Sequence, residues 1–254
     1  MEDKENVNII FLGEFRQADR LKFFVRKKLP HKVYFIQHNS PEDRVDKDGL
    51  RKEIEKELSP WAVKNSQIVE IDFFSFEDCF PKILKIMSTE KKKGNEVHVA
   101  LHGASMIAAT ATAMAASLTN AKIIWVKPQN WQSIGKERGD PRIMIPMGAS
   151  LLHEVKIPIR PELPKAPYSH ILTYIFDNKG QVAGKLTYLA EKIGLEKISA
   201  NVKKSTSGAV KLSKIISRLR QDGLIETKRT GRKSLEIDLT QQGKLIAEVL
   251  KAME

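Results

Sequence analysis

The sequence contains one cysteine, Cys79, among 254 residues, so no disulfide can form within the chain. A protein without a disulfide framework fits a reducing compartment. The charged N-terminus has no apolar segment of the signal-peptide type, and the Ala-rich run 104–118 is too short to cross a bilayer. We therefore expect a cytoplasmic protein in which Cys79 is a core residue and not a nucleophile.

Motifs for catalysis and for metal binding are also missing. The sequence has no His, Cys, Asp or Glu spacing of the metal-ligand type, and no carboxylate pair accompanies a histidine. We therefore expect no metal, no cofactor and no enzymatic activity. What the chain does have is a net charge of +12 on a globular composition of 41% hydrophobic and 29% charged residues. This surplus of positive charge indicates a polyanionic partner.

Apolar strands alternate with helices through the N-terminal half. This alternation predicts an α/β fold with a Rossmann-like, mostly parallel sheet in a domain spanning residues 1–156. Residues 129–156 interrupt the alternation, and we expect them to pack on this domain with one late strand. The Pro-rich stretch 157–167 is predicted to be a linker.

The C-terminal part, 168–254, has a different pattern. Helices at 169–178, 185–193 and 208–222, a strand pair at 224–227 and 234–239, and a closing helix at 241–253 predict a winged helix-turn-helix domain. In the third helix, an apolar stripe lies opposite basic residues. The residues expected to contact DNA are Ser205, Thr206, Ser207, Lys211, Lys214 and Arg218 near this helix, and Lys228, Arg229, Arg232 and Lys233 in the hairpin.

This C-terminal part resembles the winged-helix domains of many prokaryotic regulators. The resemblance is carried by the run Leu219–Ile225, which ends the third helix and opens the hairpin, and by the short helix that includes Leu189 and Ile193. The segment 195–207 between the two helices is longer than the usual tight turn. The start of the third helix is therefore left open by the pattern.

Ligand-type residues follow three strands of the predicted sheet. The fourth strand leads into Leu101-His102-Gly103-Ala104-Ser105 and then into a helix of small residues. A Gly turn at the start of a helix presents backbone N–H groups to an anion, and ligands of open α/β sheets bind beyond the carboxyl ends of strands. We call the edge formed by the carboxyl ends of the parallel strands the rim. The residues expected there are Gly13, Glu14 and Phe15 after the first strand, His38 and Asn39 after the second, and His102, Gly103, Ala104 and Ser105 after the fourth.

The order of elements, this turn, the Val126-Lys127-Pro128 ending of the fifth strand and the appended winged helix resemble the CRISPR-associated Rossmann-fold (CARF) regulators of archaea. The resemblance implies a homodimer that binds cyclic oligoadenylate at the ends of the first and fourth strands. It implicates Gly13, Glu14 and the stretch His102–Ser105. Met106 stands where that family often has a cation, so Lys127 or the second subunit would have to supply the charge.

The sequence thus predicts a DNA-binding transcriptional regulator that senses a nucleotide-like ligand. Its expected partners are double-stranded DNA, a second copy of the chain and a cyclic oligonucleotide. Two alternatives stay open: a ring nuclease that degrades its ligand with His102 and Ser105, and a scaffold that binds DNA without specificity. The operator, the ligand and the direction of regulation are not determined by the sequence.

Overall fold

The computed structural model describes residues 4–13, 17–39, 46–133, 144–157, 161–194, 208–231 and 234–253. The chain divides into two compact units, Met1–Pro161 and Glu162–Glu254. Each has its own buried apolar core, so each is described by itself.

Unit 1 is a mixed α/β unit. Its strands are β1 (Asn6–Phe11), β2 (Lys32–His38), β3 (Gln67–Ile71), β4 (Glu96–Ala100), β5 (Lys122–Lys127), β6 (Asn130–Ser133), β7 (Met144–Met147) and β8 (Leu151–Val155). Its helices are α1 (Ala18–Lys28), α2 (Lys47–Glu55), α3 (Pro60–Lys64), α4 (Phe76–Lys92) and α5 (Met106–Thr119). The predicted alternation of strands and helices is confirmed over the first five strands.

The main sheet of unit 1 has six strands in the order β3-β2-β1-β4-β5-β8. The first five strands are parallel, and β8 pairs with β5 in the antiparallel direction. The chain builds outward from β1 to β3 on one side and from β4 to β5 on the other. The carboxyl ends of β1 and β4 therefore form the topological switch point of a Rossmann-like sheet.

The central strands β1 and β2 are mostly buried apolar runs, as is typical of a parallel sheet covered by helices. On one face, α1 and α2 bury side chains such as Leu21, Phe24 and Leu50 against Ile10 and Phe35 of the strands. The sequence also explains helix α5. Ser105 caps its start, and its buried alanines let it pack closely against α4.

Two details differ from the expectation for this unit. The stretch after β5 holds three strands, β6 to β8, where one late strand was expected. The short helix α3 was not predicted, because five residues that begin with Pro60 give too little periodicity to detect. Ser59 caps this helix by accepting a hydrogen bond from the backbone N–H of Ala62.

Unit 2 is built around one apolar core. Its elements are α6 (Tyr168–Asp177), β9 (Gln181–Lys185), α7 (Leu186–Lys192), α8 (Gly208–Gln221), β10 (Ile225–Arg229), β11 (Ser234–Leu239) and α9 (Gln241–Met253). Strands β10 and β11 form an antiparallel hairpin, and β9 pairs with the other edge of β11. Helix α8 buries Leu212, Ile215, Ile216 and Leu219, the stripe expected from its spacing.

Among the described residues, no helix combines the length and the apolar character needed to cross a membrane.

Candidate functional site

The loops after β1 and β4 touch at the switch point. A Cβ atom added to Gly13 would lie 1.6 Å from the carbonyl oxygen of Gly103, so only glycine fits at position 13. Gly103 itself has a φ of +85°, which favours glycine as well. The two glycines expected at the rim are therefore neighbours, and their backbones approach each other closely.

Helix α5 begins directly beside this contact. The Ser105 hydroxyl accepts a hydrogen bond from the backbone N–H of Ala108 at 3.1 Å and donates one to the carbonyl oxygen of Phe73. The backbone N–H groups of Met106 and Ile107 have no acceptor within the described parts of the chain. These N–H groups carry the partial positive charge of the helix N-terminus and are available to an anion.

His102 lies beneath the rim and is almost fully buried. Its Nε2 accepts a hydrogen bond from the backbone N–H of Val126 at 3.1 Å, while its Nδ1 has no partner among the described residues. Burial, followed by the nearby Arg20 charge, lowers the pKa of His102 to about 3. The ring is therefore neutral at physiological pH, with the proton on Nδ1, and it ties β4 to β5.

A buried cation that the sequence analysis did not identify lies next to His102. Arg20 donates from Nε to the carbonyl oxygen of Val126 at 3.1 Å and from Nη1 to the Oε1 atom of Gln17 at 2.7 Å. Burial lowers its pKa to about 10, so it remains charged at neutral pH. It forms no ion pair with a carboxylate of the described segments. Its one sequence signal is the i,i+4 spacing to Phe24, which places it beside the buried stripe.

The loops after β2 and β3 extend the rim. His38 accepts a hydrogen bond on Nδ1 from the backbone N–H of Phe73 at 3.1 Å, and its ring stacks on Phe73. The Phe74 ring contacts the His38 ring in an edge-to-face arrangement and is 67% exposed. This exposed aromatic ring was not identified from the sequence. Asn39 is exposed, and its backbone N–H bonds to the carbonyl oxygen of Ile71.

The other residues expected at this rim differ in their exposure, and two of them lie outside the described residues. Ala104 is half-buried in the turn before α5, and its N–H bonds to the carbonyl oxygen of Leu101. Lys127 is exposed at the carboxyl end of β5. Glu14 and Phe15 lie outside the described residues. The described residues contain no group of His, Cys, Asp or Glu side chains that could hold a metal ion.

The cations expected to contact DNA differ in exposure and in pairing. Lys214 is exposed, Lys211 is half-buried, and Arg218 donates from Nε to the Oδ2 atom of Asp222 at 3.1 Å. In β10, Arg229 and Lys228 are both exposed and point to opposite faces, as alternation along a strand requires. The remaining expected residues, Ser205, Thr206, Ser207, Arg232 and Lys233, lie outside the described residues.

The family model described as "HFX_2341_N:-like, N-terminal" matches residues 6–131, just under half of the chain. No curated protein matches the sequence. Solved structures that it is similar to include Enterococcus italicus Csm6 bound to cyclic hexa-2'-fluoro-hexa-dAMP, with 12% identity, a TM-score of 0.42, and coverage of 87% of this chain and 55% of that one.

Two further similar structures come from other bacteria. Can2 from Sulfobacillus thermosulfidooxidans, in complex with cyclic tetra-adenylate, has 10% identity, a TM-score of 0.39, and coverage of 95% of this chain and 61% of that one. Protein VC1899 from Vibrio cholerae has 13% identity, a TM-score of 0.38, and coverage of 98% and 66%. The chain thus spans less than two thirds of the length of these proteins.

These comparisons correct one expectation. We expected a chain without enzymatic activity, and the similarity to Csm6 and Can2 opposes that expectation. The expectation is withdrawn.

Proposed function

We propose that the chain is a ligand-responsive, DNA-binding transcriptional regulator. Unit 1 is a CARF-type sensor of a nucleotide-like anion, with cyclic oligoadenylate as the first candidate, and unit 2 is a winged helix-turn-helix domain. The observation that carries the proposal is the junction of β1 and β4, where Gly13 and Gly103 bring two loops together beside the start of α5.

Charge at this junction favours an anion. The N–H groups of Met106 and Ile107 open toward it, and the Arg20 guanidinium lies close enough to His102 to lower the pKa of the imidazole. CARF regulators often have a cation directly after the residue that corresponds to Ser105, and this chain has Met106 there. Arg20 and Lys127 supply positive charge near the carboxyl ends of β1, β4 and β5 in its place.

The rim also offers a surface for a nucleobase. Phe74 presents an exposed ring next to His38, and the Phe73 carbonyl oxygen of the same loop bonds to Ser105. Aromatic rings stack on bases of any sequence, with roughly 1–3 kcal/mol per base. A phosphate subsite with an adjacent aromatic platform suits a nucleotide better than it suits inorganic phosphate.

A second copy of the chain is proposed to complete the site. Helix α5 exposes Met106, which is 86% accessible, and also Ile107 and Met114. Ile107 and Met114 are seven residues apart and share one side of the helix, and Met106 adds a further apolar side chain at the rim. A homodimer that packs along these side chains would bring two rims together, and a polar Met114→Glu change should return the dimer to monomers in sedimentation experiments.

Unit 2 is proposed to bind double-stranded DNA. Three helices followed by a hairpin and a last helix fit a winged helix-turn-helix. Helix α8 exposes Lys214, and β10 exposes Arg229. In a dimer, two such units would recognise a roughly palindromic site. Arg218 is less suited to this role than its spacing indicated, because its guanidinium is paired with Asp222.

The test is a titration of cyclic tetra-adenylate and related cyclic oligonucleotides into the wild-type protein and a Gly103→Val variant. Valine is strained at a φ of +85°, so the variant should lose ligand binding. The titration is repeated with duplex DNA present, because a regulator must couple the two affinities. If no nucleotide binds the wild type, the sensor proposal fails.

Two further outcomes separate the parts of the proposal. A ligand that binds and leaves DNA affinity unchanged would remove the coupling. Chromatography of the nucleotide after incubation tests the ring-nuclease alternative, because linear products that form with wild type and not with Gly103→Val would show that the same pocket degrades its ligand.

A further inference from the structure

A polar cleft lies between α8 and the hairpin of unit 2. Its volume is about 460 Å³. Ser213, Ser217 and Arg220 of α8 form one wall, and Thr227 and Arg229 of β10 form the other. Of these five residues, only Arg229 was expected from the sequence to contact DNA.

The wall on α8 is one flank of that helix. Since successive residues are about 100° apart around a helix, Ser213, Ser217 and Arg220 lie on one side of the buried stripe. Arg218 lies on the other side. There it pairs with Asp222 and borders a second depression that also contains Glu162. The Arg218 flank thus carries two carboxylates, and the Arg220 flank faces the hairpin.

The hairpin has two chemically different faces. Thr227 and Arg229 share the face of Ile225, which is buried in the core with α8. Register places the alternate residues of β10 and β11 on the opposite face. That opposite face of the two strands carries three carboxylates and one ammonium group: Glu226, Glu236, Asp238 and Lys228. A polyanion would therefore meet repulsion on the outer face and attraction on the face that borders the cleft.

Within the described part of the chain, the two arginines of the cleft have no acidic partner. No Asp or Glu residue lines it, and neither Arg220 nor Arg229 forms an ion pair or a side-chain hydrogen bond within the described residues. Both arginines are exposed. Two guanidinium groups line the cleft together with the four hydroxyl groups of Ser213, Ser217, Thr227 and Ser234. They are a donor set for phosphodiester oxygens, since guanidinium binds phosphate through paired N–H bonds.

We propose that this cleft binds a backbone phosphate of duplex DNA, held between Arg220 on the helix and Arg229 on the hairpin. The inference rests on the proposed DNA binding of unit 2 and specifies how that binding is achieved. The hairpin-facing flank of α8 turns toward the DNA backbone, and Arg220 takes the role that spacing alone assigned to Arg218.

The two arginines of α8 provide a matched pair of variants. Arg220→Ala and Arg218→Ala remove the same charge from exposed positions two residues apart on one helix. The probe is a labelled duplex enriched by the wild-type protein from a random-sequence library, and binding is measured by fluorescence anisotropy over a range of salt concentrations. Arg220→Ala should weaken binding about tenfold and reduce the salt slope by roughly one unit, as loss of one phosphate contact requires.

Arg218→Ala should change affinity less than about threefold, through long-range charge alone. Arg220→Lys should recover part of the loss, because it restores the charge without the paired N–H donors. The double variant with Arg220→Ala and Arg229→Ala should lose less DNA-binding free energy than the two single variants lose together, since both residues bind one phosphate group. Circular dichroism melts of all variants should match wild type.

The outcomes separate this inference from the proposed function. If Arg218→Ala weakens binding as much as Arg220→Ala does, the cleft assignment is overturned and DNA binding stands. If the wild-type protein enriches no duplex, or binds single-stranded RNA equally well, the proposed function of unit 2 fails and the cleft assignment fails with it.

Discussion

The backbone at Gly13 lies so close to Gly103 that a Cβ atom at position 13 would stand 1.6 Å from the Gly103 carbonyl oxygen. The two residues are far apart in the sequence and come together because β1 and β4 are neighbours in the sheet. The contact fixes the spacing of two loops at the edge where open α/β sheets bind their ligands.

Gly13→Ala should therefore separate these loops. The backbone of Gly103 cannot move aside as a flexible side chain would, so we expect a loss of about 1–3 kcal/mol in the free energy of unfolding and no detectable nucleotide binding. The measurements are urea denaturation and calorimetric titration. Gly231→Ala is the control, because its added Cβ would meet its nearest neighbour, the Ser234 Cβ, at an ordinary 3.9 Å. Unchanged ligand affinity in Gly13→Ala would contradict a site at this junction.

Phe74→Ala should weaken nucleotide binding and leave the fold intact. The ring is 67% exposed, so its removal costs little packing, whereas a stacked base would lose roughly 1–3 kcal/mol of binding free energy. Trp61→Ala is the matched control: Trp61 is another exposed aromatic residue, close to Gln67 and Lys32 where β3 and β2 begin, at the opposite edge of the sheet. Equal effects of the two changes on affinity would argue against a stacking platform at Phe74.

Glu90 should be a strong contributor to stability. Burial by itself raises the pKa of this carboxyl, and hydrogen bonds from Tyr34, Lys32 and Asn95 outweigh burial and lower the pKa to about 2. A carboxyl whose pKa is depressed by folding stabilises the protein above its unfolded pKa, and this contribution is lost as pH falls toward 2. Glu90→Gln should cost roughly 2–4 kcal/mol at pH 7.

The difference between Glu90→Gln and wild type is measured by urea denaturation as the pH is lowered. It should narrow below about pH 4.5, where the unfolded chain begins to take up the proton. Glu55→Gln, at a partly exposed ion pair with Arg51, should change stability by less than about 1 kcal/mol. A pH-independent difference for Glu90→Gln would show that its charge is not what stabilises the fold.

Buried histidines should make the fold sensitive to mild acid. Burial lowers the pKa of His102 to about 3 and that of His98 to about 4. Below the unfolded pKa near 6.5, the unfolded chain binds protons that the folded chain refuses, so stability falls as pH drops. Each histidine should lower the free energy of unfolding by about 2 kcal/mol between pH 7 and pH 5.

His102→Gln isolates one of these contributions, since glutamine can still accept the hydrogen bond from Val126. Thermal melts at pH 7 and pH 5 should show a smaller drop in Tm for this variant than for wild type. His170→Gln, at an exposed position of unit 2, should retain the wild-type drop. An undiminished drop in His102→Gln would mean that the ring is protonated in the folded state.

Local sequence determined most elements of both units. The apolar run Val7–Leu12 predicts the first strand, which the structure places at Asn6–Phe11, within one residue. The helical spacing of Leu212, Ile215, Ile216 and Leu219 predicted the buried side of α8. Ser105 and the glycine two residues before it marked the start of α5 correctly. The Rossmann-like, mostly parallel sheet is confirmed as well. These features follow from short-range rules of periodicity and capping, so a sequence is enough to read them.

Tertiary structure alone decided the rest. Strand β9 contains Ala183 and Gly184, which have low strand propensity, and it is a strand because it pairs with β11. The contact between Gly13 and Gly103, the burial of Arg20 beneath the rim and the place of Phe74 beside His38 depend on which strands are neighbours. Helical spacing also left two flanks of α8 equally exposed. The pairing of Asp222 with Arg218 on one flank is an i,i+4 contact within the helix, which the sequence by itself allows. The hairpin borders the other flank, that of Arg220, and this neighbour is set by the packing of residues distant in sequence.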